Sequence, residues 1–296
     1  MEAVGEVEGL LSRAPESRLS RSVLLLRRHP QLGAGLAILV ALVTTLALAQ
    51  VLVPYDPLRG DSSTVLEPPS QAHPLGTDSF GRDILSRIAQ GAWLDLPIAF
   101  TTVAIAITLG LLIGALAGYT GGLVDMVVMR ATDILMAFPS FILAMVMVAV
   151  LGNSVPTVVI AIAVSFVPDF IRLARGEVLS ERELEYVDAA RCAGNSEWRI
   201  MYIQLLPNCL TPVLVHGTLC LAWAILDVAG LAFLGIGITP PTPEWGVLVS
   251  EGVRHTISGD WWVSLFPGAT ILLAALGFNL VGDSLRDITA REERGQ

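Results

Sequence analysis

The apolar residues of this chain come in long runs without charge, and that arrangement constrains the fold more than any other feature. Residues 31–54 and 96–124 contain no Asp, Glu, Lys or Arg. Between 134 and 168 only the turn-like Gly152-Asn153-Ser154-Val155-Pro156 breaks the apolar sequence. A membrane-crossing helix needs about 20 such residues, whereas a soluble core helix is usually shorter and amphipathic. The runs predict an all-α, polytopic membrane protein with six transmembrane helices. These fall near 33–53, 97–118, 124–150, 156–176, 209–235 and 263–283, flanked by an N-terminal segment, 1–30, and a tail, 291–296. Composition agrees, with 53% apolar and only 15% charged residues. It excludes a disordered, collagen-like or nucleic-acid-coating chain.

The basic residues set the expected orientation, because positive charge is retained on the cytoplasmic side. All 18 are Arg; the chain has no Lys. With the N-terminus inside, 14 of them fall on inner segments and four (Arg59, Arg82, Arg87, Arg254) on outer ones. Both termini are therefore expected in the cytoplasm. The Arg-rich lead followed by Ala47-Leu48-Ala49 imitates a secretory signal. The apolar run continues through Val51-Leu52-Val53, however, so an uncleaved anchor is the better reading.

Little suggests chemistry at a catalytic centre. Cys192, Cys209 and Cys220 lack CxxC spacing and read as small buried hydrophobes. The four His are scattered singly, with no metal-ligand spacing. No catalytic or metal-binding residue is assigned, and the net charge of −9 says little about partners because the acids lie mostly outside the spans.

Outside the spans, 54–95 begins turn-rich. It then places Phe80, Ile84, Leu85 and Ile88 on one helical face, with Arg82, Ser86, Arg87 and Gln90 largely opposite. That pattern predicts a short amphipathic helix along the outer membrane surface or against the bundle. In the second span, Thr102, Ala106, Gly110, Gly114 and Gly118 form a ridge of small residues that lets a neighbouring helix approach closely. Segment 239–262 opens on a proline cluster and ends with Trp261-Trp262, a pair expected to anchor the sixth helix at the interface.

The longest cytoplasmic loop, about 177–207, is the most informative. Good helix formers lead to Asp188-Ala189-Ala190, Gly194-Asn195 breaks the helix, Ser196 can cap a second short one, and Pro207 ends it. This predicts a helix–turn–helix outside the membrane, with small residues beside the bend for close approach to a partner. A solvated connector would not need so much structure.

Asp188-Ala189-Ala190, then Gly194, then Leu206-Pro207 resembles the "EAA" loop of the integral-membrane subunits of ABC importers, with the spacing reproduced. Asp188 replaces Glu, and Gln204 stands where Ile is expected. His73-Pro74-Leu75-Gly76-Thr77-Asp78 with Gly81-Arg82-Asp83 resembles the external signature of dipeptide, oligopeptide and nickel importer permeases, in their second or "C" subunit. Asp125, Arg130 and Asp133, then Leu231-Ala232-Phe233-Leu234-Gly235, Pro240 to Gly246, and Gly277 to Asp287 extend the likeness over roughly 20–290.

The resemblance implies a type I importer-like permease fold in a bacterial inner membrane. It also implies a second homologous permease subunit, two cytoplasmic ATPase subunits or domains and an extracytoplasmic substrate-binding protein. Residues 186–200 would dock on the ATPase: Ala189, Ala190 and Gly194 by close approach, Asp188 and Arg191 by charge. ATP and Mg would sit on the partner chains, with no cofactor in this one. A chain without Lys cannot hold the GxxxxGK[ST] phosphate loop, so an ATPase must be a separate polypeptide.

Two residues are candidates for the translocation path. Asp227 is an acid within the fifth span, and such groups are functional candidates by default. It could face the path or pair with a partner helix, and pairing is favoured. Asn279 in the sixth span can hydrogen-bond between helices. Asp169 and Arg172, spaced i, i+3, are expected to pair with each other. Competing readings are an ion-gradient-driven secondary transporter using Asp227 as a proton relay, which would show inverted repeats, and a membrane scaffold without transport.

Overall fold

The computed structural model describes residues 29–53 and 55–294. The N-terminal segment therefore lies almost wholly outside the described residues, with five of the Arg that set the expected orientation. Within them the regular structure is helical, apart from a single bridge between Thr77 and Asp83. The helices are α1 (Pro30–Leu52), α2 (Ile84–Thr120), α3 (Gly122–Met136), α4 (Ser140–Leu151), α5 (Val155–Glu181), α6 (Glu185–Cys192), α7 (Glu197–Phe233), α8 (Trp245–Thr256) and α9 (Trp262–Arg294). Five of these are long and apolar enough to cross a membrane, and the bent pair α3–α4 makes a sixth crossing if it is one span.

The most extensive interface joins α2 to α5, and the small-residue ridge explains it. A Cβ on Gly110 would sit 2.2 Å from the Phe170 Cβ, and one on Gly114 would sit 2.5 Å from the Ile171 carbonyl oxygen. The close approach read from the sequence thus has α5 as its partner. Two ion pairs extend the wall: Asp125 of α3 accepts from Arg175 Nη2 of α5 at 2.6 Å, and Asp133 accepts from Arg172 at 2.7 Å. Arg172 pairs across helices to Asp133, not along its own helix to Asp169, because α3 brings a carboxylate within reach of its tip.

Several elements differ from the sequence reading. The expected surface helix is the first part of α2, which runs unbroken for 37 residues, or about 55 Å. Its arginines are not solvated: Arg82, just before the helix, and Arg87 are 5% and 1% exposed, although Gln90 is exposed. Arg82 Nε donates to Asp78 at 2.7 Å and Arg87 Nη1 donates to Glu251 of α8 at 2.6 Å. Buried acids take the place of water, so the charges mark an interior and not a surface.

The expected third span, 124–150, is α3 and α4, bent by 86°. Pro139 lacks an N–H and pushes Phe138 out of helical geometry, which breaks the run there. The tryptophan pair divides: Trp261 is 49% exposed, but Trp262 is buried and donates from Nε1 to the Thr77 carbonyl. Segment 239–262 also holds the helix α8, whose first residue Trp245 is fully buried and donates from Nε1 to the Ile88 carbonyl at 2.9 Å. The bundle therefore has two differently built ends, called here the Gly76 end and the Gly194 end.

Candidate functional site

The Gly194 end is assembled from the last turns of α2 and α5, the short helix α6 and the foot of α7. Helix α6 stops in a Gly-dependent cap. Gly194 has φ +80°, its N–H donates to the Arg191 carbonyl at 2.9 Å, and Asn195 N–H donates to the Ala190 carbonyl at 3.2 Å. That left-handed turn is strained for any residue with a Cβ. Ser196 then caps the foot of α7 by accepting from Arg199 N–H at 3.4 Å. The bend after Ala190 and the cap at Ser196 stand where the sequence puts them.

Beneath the bend lies a small core of its own. Ala115, Val178, Val187, Ala190, Ile200, Leu205 and Cys209 are buried together, with Tyr119, Tyr186 and Leu206 packed against them. Arg182 donates to the Gly118 carbonyl at 2.9 Å, placing a cation on the C-terminal end of α2. Tyr186 donates to Glu181 at 2.8 Å and accepts from Asn208. Burial first, and then that bond to Glu181, pushes the Tyr186 phenol above its ordinary value. Tyr119 of α2 donates to Glu197 at the α7 foot. The helix–turn–helix is thus bolted to two membrane helices at several points.

This geometry sorts the five residues read as docking groups. Asp188 and Ala189 are exposed. Ala190 is 8% exposed and packs into the core below, so its small side chain serves the fold of the bend and not the outer face. Nothing in the chain lies within 4 Å of a Cβ built on Gly194, so within the chain the glycine serves the left-handed backbone conformation and no internal contact. Arg191 Nη1 donates to Asp188 at 3.1 Å and its Nε lies 3.7 Å from Glu197, so the two charged candidates are joined within the chain.

Helix α7 does not stop at Pro207. Residues Ile200–Leu205 are π-helical, and the Leu206 N–H reaches back to the Met201 carbonyl. The wider turn lets the chain pass Pro207, which has no N–H and crowds the carbonyl before it, without ending the helix. Two consequences were not read from sequence. The foot and the membrane span are one 37-residue helix. The foot also exposes Trp198 (63%), Ile203 (64%) and, across the bend, Leu184 (46%), with Trp198 stacked on Tyr202 at 5.4 Å. The i, i+4 spacing of Trp198 and Tyr202 was the available signal. Of the three thiols, all free, Cys209 and Cys220 are buried, but Cys192 is exposed beside the bend.

Asp227 and Asn279 lie half-buried on α7 and α9, which pack together. They do not bond to each other, and neither has a hydrogen bond or ion pair among the described residues.

A family described as "Binding-protein-dependent transport system inner membrane component" matches residues 110–295, from the glycine ridge through the bend to the last helix. The chain belongs to that family. It is a transport permease subunit and not an enzyme. Among its relatives, the di/tripeptide transport system permease protein DppC of Pseudomonas aeruginosa is 43% identical over 86% of this chain and 85% of its own length. The dipeptide transport system permease protein DppC of Alkalihalophilus pseudofirmus is 42% identical over 88% and 86%. The glutathione transport system permease protein GsiD of Pectobacterium atrosepticum is 39% identical over 88% and 87%. The resemblance drawn from the Gly76 and Gly194 motifs is to this same family.

Proposed function

We propose that this permease is a membrane-spanning subunit, forming half of the translocation path, of an ATP-driven importer for peptides or similar small solutes in a bacterial inner membrane. The Gly194 end faces the cytoplasm and docks on a separate ATPase, which binds ATP and Mg. A second homologous permease completes the path, and an extracytoplasmic binding protein delivers solute to the Gly76 end. The observation that carries the docking assignment is the rigid mounting of 185–205. A bend with its own buried core, joined to α2 and α5, presents Asp188, Ala189, Leu184 and Trp198 outward. A mere connector needs neither the mounting nor exposed aromatic surface. Solute class follows the relatives, whose names specify dipeptides, tripeptides and glutathione, all built on short peptide backbones.

The test is Gly194→Val. A β-branched residue at φ +80° disfavours the left-handed turn by about 1–2 kcal/mol or more, enough to remodel a surface bend without unfolding the spans. Membrane insertion should be unchanged, while ATP-dependent uptake in vesicles and co-purification of the ATPase are lost. Undiminished uptake by this variant removes the assignment.

A further inference from the structure

The Gly76 end contains two carboxyl groups that the transport reading leaves unused. Asp95, three turns into α2, is 2% exposed, and Glu244, which caps α8, is 0% exposed. They meet at the first turn of α8. Asp95 Oδ2 accepts from the Trp245 N–H at 3.0 Å, and Glu244 Oε2 accepts from the Val247 N–H at 2.7 Å. Each carboxyl group then has one oxygen left, Asp95 Oδ1 and Glu244 Oε1, and both are buried without a partner.

Among the described residues no cation pairs with either carboxyl group. Arg82 and Arg87 pair with Asp78 and Glu251, and Arg87 Nε and Nη2, although buried without a partner, bond to neither orphaned oxygen. His73 is bound to Asp83. Arg254 and His255 stand at the far end of α8, α1 carries no charged residue, and the nearest ionisable group on α7 is another acid, Asp227. Tight packing excludes solvent as well. Gly246 lies so close to α7 that a Cβ there would meet the Ala229 carbonyl oxygen at 2.0 Å, and Gly91 of α2 packs on the Trp245 ring. Two neighbouring carboxylates in a dry, cation-free site cannot both remain ionised. Two orphaned acceptors facing such a site are what a missing hydrogen leaves.

We propose that Asp95 and Glu244 form a proton-binding site in which one proton, carried on Asp95 Oδ1 and donated to Glu244 Oε1, joins α2 to the start of α8. Glu244 is the ionised member, because it sits at a helix N-terminus where the peptide dipoles favour negative charge. Asp95 is the acid, because only one amide of that turn, Trp245, favours its ionised form, whereas two, Gly246 and Val247, favour the ionised form of Glu244. One hydrogen satisfies both orphaned atoms, and the pair titrates as a unit. Burial acts in the same direction, pushing the Glu244 carboxyl up against the pull of the Gly246 and Val247 amides. Loss of the proton places two negative charges side by side, which weakens the seat of α8 on α2. The inference does not depend on ATPase docking, because it concerns the opposite end of the bundle and is read without transport.

The experiment uses the complete transporter in lipid, with infrared spectroscopy and thermal unfolding as readouts. The wild type should show at neutral pH the carbonyl band of a protonated, water-excluded carboxylic acid, and Asp95→Asn and Glu244→Gln should each lose it. Between about pH 5 and the pH at which the pair releases its proton, the wild-type folded-to-unfolded ratio should fall about tenfold per pH unit relative to Asp95→Asn. The asparagine amide donates to Glu244 Oε1 but cannot dissociate, so that component of the pH dependence disappears. Glu244→Gln, whose amide can donate to an ionised Asp95, is the second variant if the first fails to assemble. The proposal is overturned if the wild type lacks the band, or if the band emerges only after sodium and potassium are stripped, which indicates a metal-cation site. It is also overturned if Asp95→Asn keeps the wild-type pH dependence.

Discussion

Arg87 offers the sharpest test of what holds the Gly76 end together. Its side chain is 1% exposed, and its Nη1 is shared between Asp78 and Glu251 at 2.5 and 2.6 Å. Arg82 reaches the same two acids at 2.7 and 3.1 Å. Two cations and two anions therefore cancel within one buried cluster, uniting the segment before α2 with α8. Arg87→Met removes one cation and leaves an uncompensated negative charge among groups at most 14% exposed. Breaking a buried pair in this way costs about 3–5 kcal/mol. Adding Glu251→Gln restores neutrality with Arg82 and Asp78 still paired. The double variant should recover most of that loss and retain a residual of about 1–2 kcal/mol for the hydrogen bonds removed. Thermal unfolding of the lipid-embedded complex, run as a double-mutant cycle, measures the coupling directly. If the double variant is no more stable than Arg87→Met alone, the cluster is not held by charge balance and the argument fails.

Gly114→Leu probes the α2–α5 contact. Its Cβ would meet the Ile171 carbonyl oxygen at 2.5 Å and the Ala174 Cβ at 2.9 Å, and backbone cannot rotate aside. A loss of about 1–3 kcal/mol or more is expected, visible as reduced yield of folded protein in detergent. Asp227→Asn separates two roles for a membrane acid with no partner among the described residues: altered solute preference with normal assembly assigns it to the path, and loss of the complex assigns it to pairing with another helix. Uptake and co-purification of the second permease are the paired readouts.

The spans were legible because a charge-free stretch long enough to cross a bilayer has few other fates. The bend at 194 was legible because glycine after a helix former marks a left-handed cap. The structure adds the φ of +80° that this cap requires at Gly194. The burial of the charges at 82 and 87 was not legible because one of their acids, Glu251, lies on another element. Only the fold brings Glu251 within reach. Asp95 was overlooked because it sits just before the second apolar run and looks like a boundary. Its meaning depends on Glu244, separated from it by most of the bundle's sequence. The break at Pro139 was in plain view, but an apolar run on both sides of a proline reads equally well as a kinked span.

Because α7 passes from Trp198 to Phe233 without an intervening loop, the exposed foot and the far side of the bilayer belong to one lever. A tilt of the foot is therefore carried into the span by continuous helix and is not lost in a loop. The widened turn at Ile200–Leu205 and Pro212 both interrupt the hydrogen-bond ladder in the half of the helix nearer the foot, so any bend is expected there and not in the half that ends at Phe233.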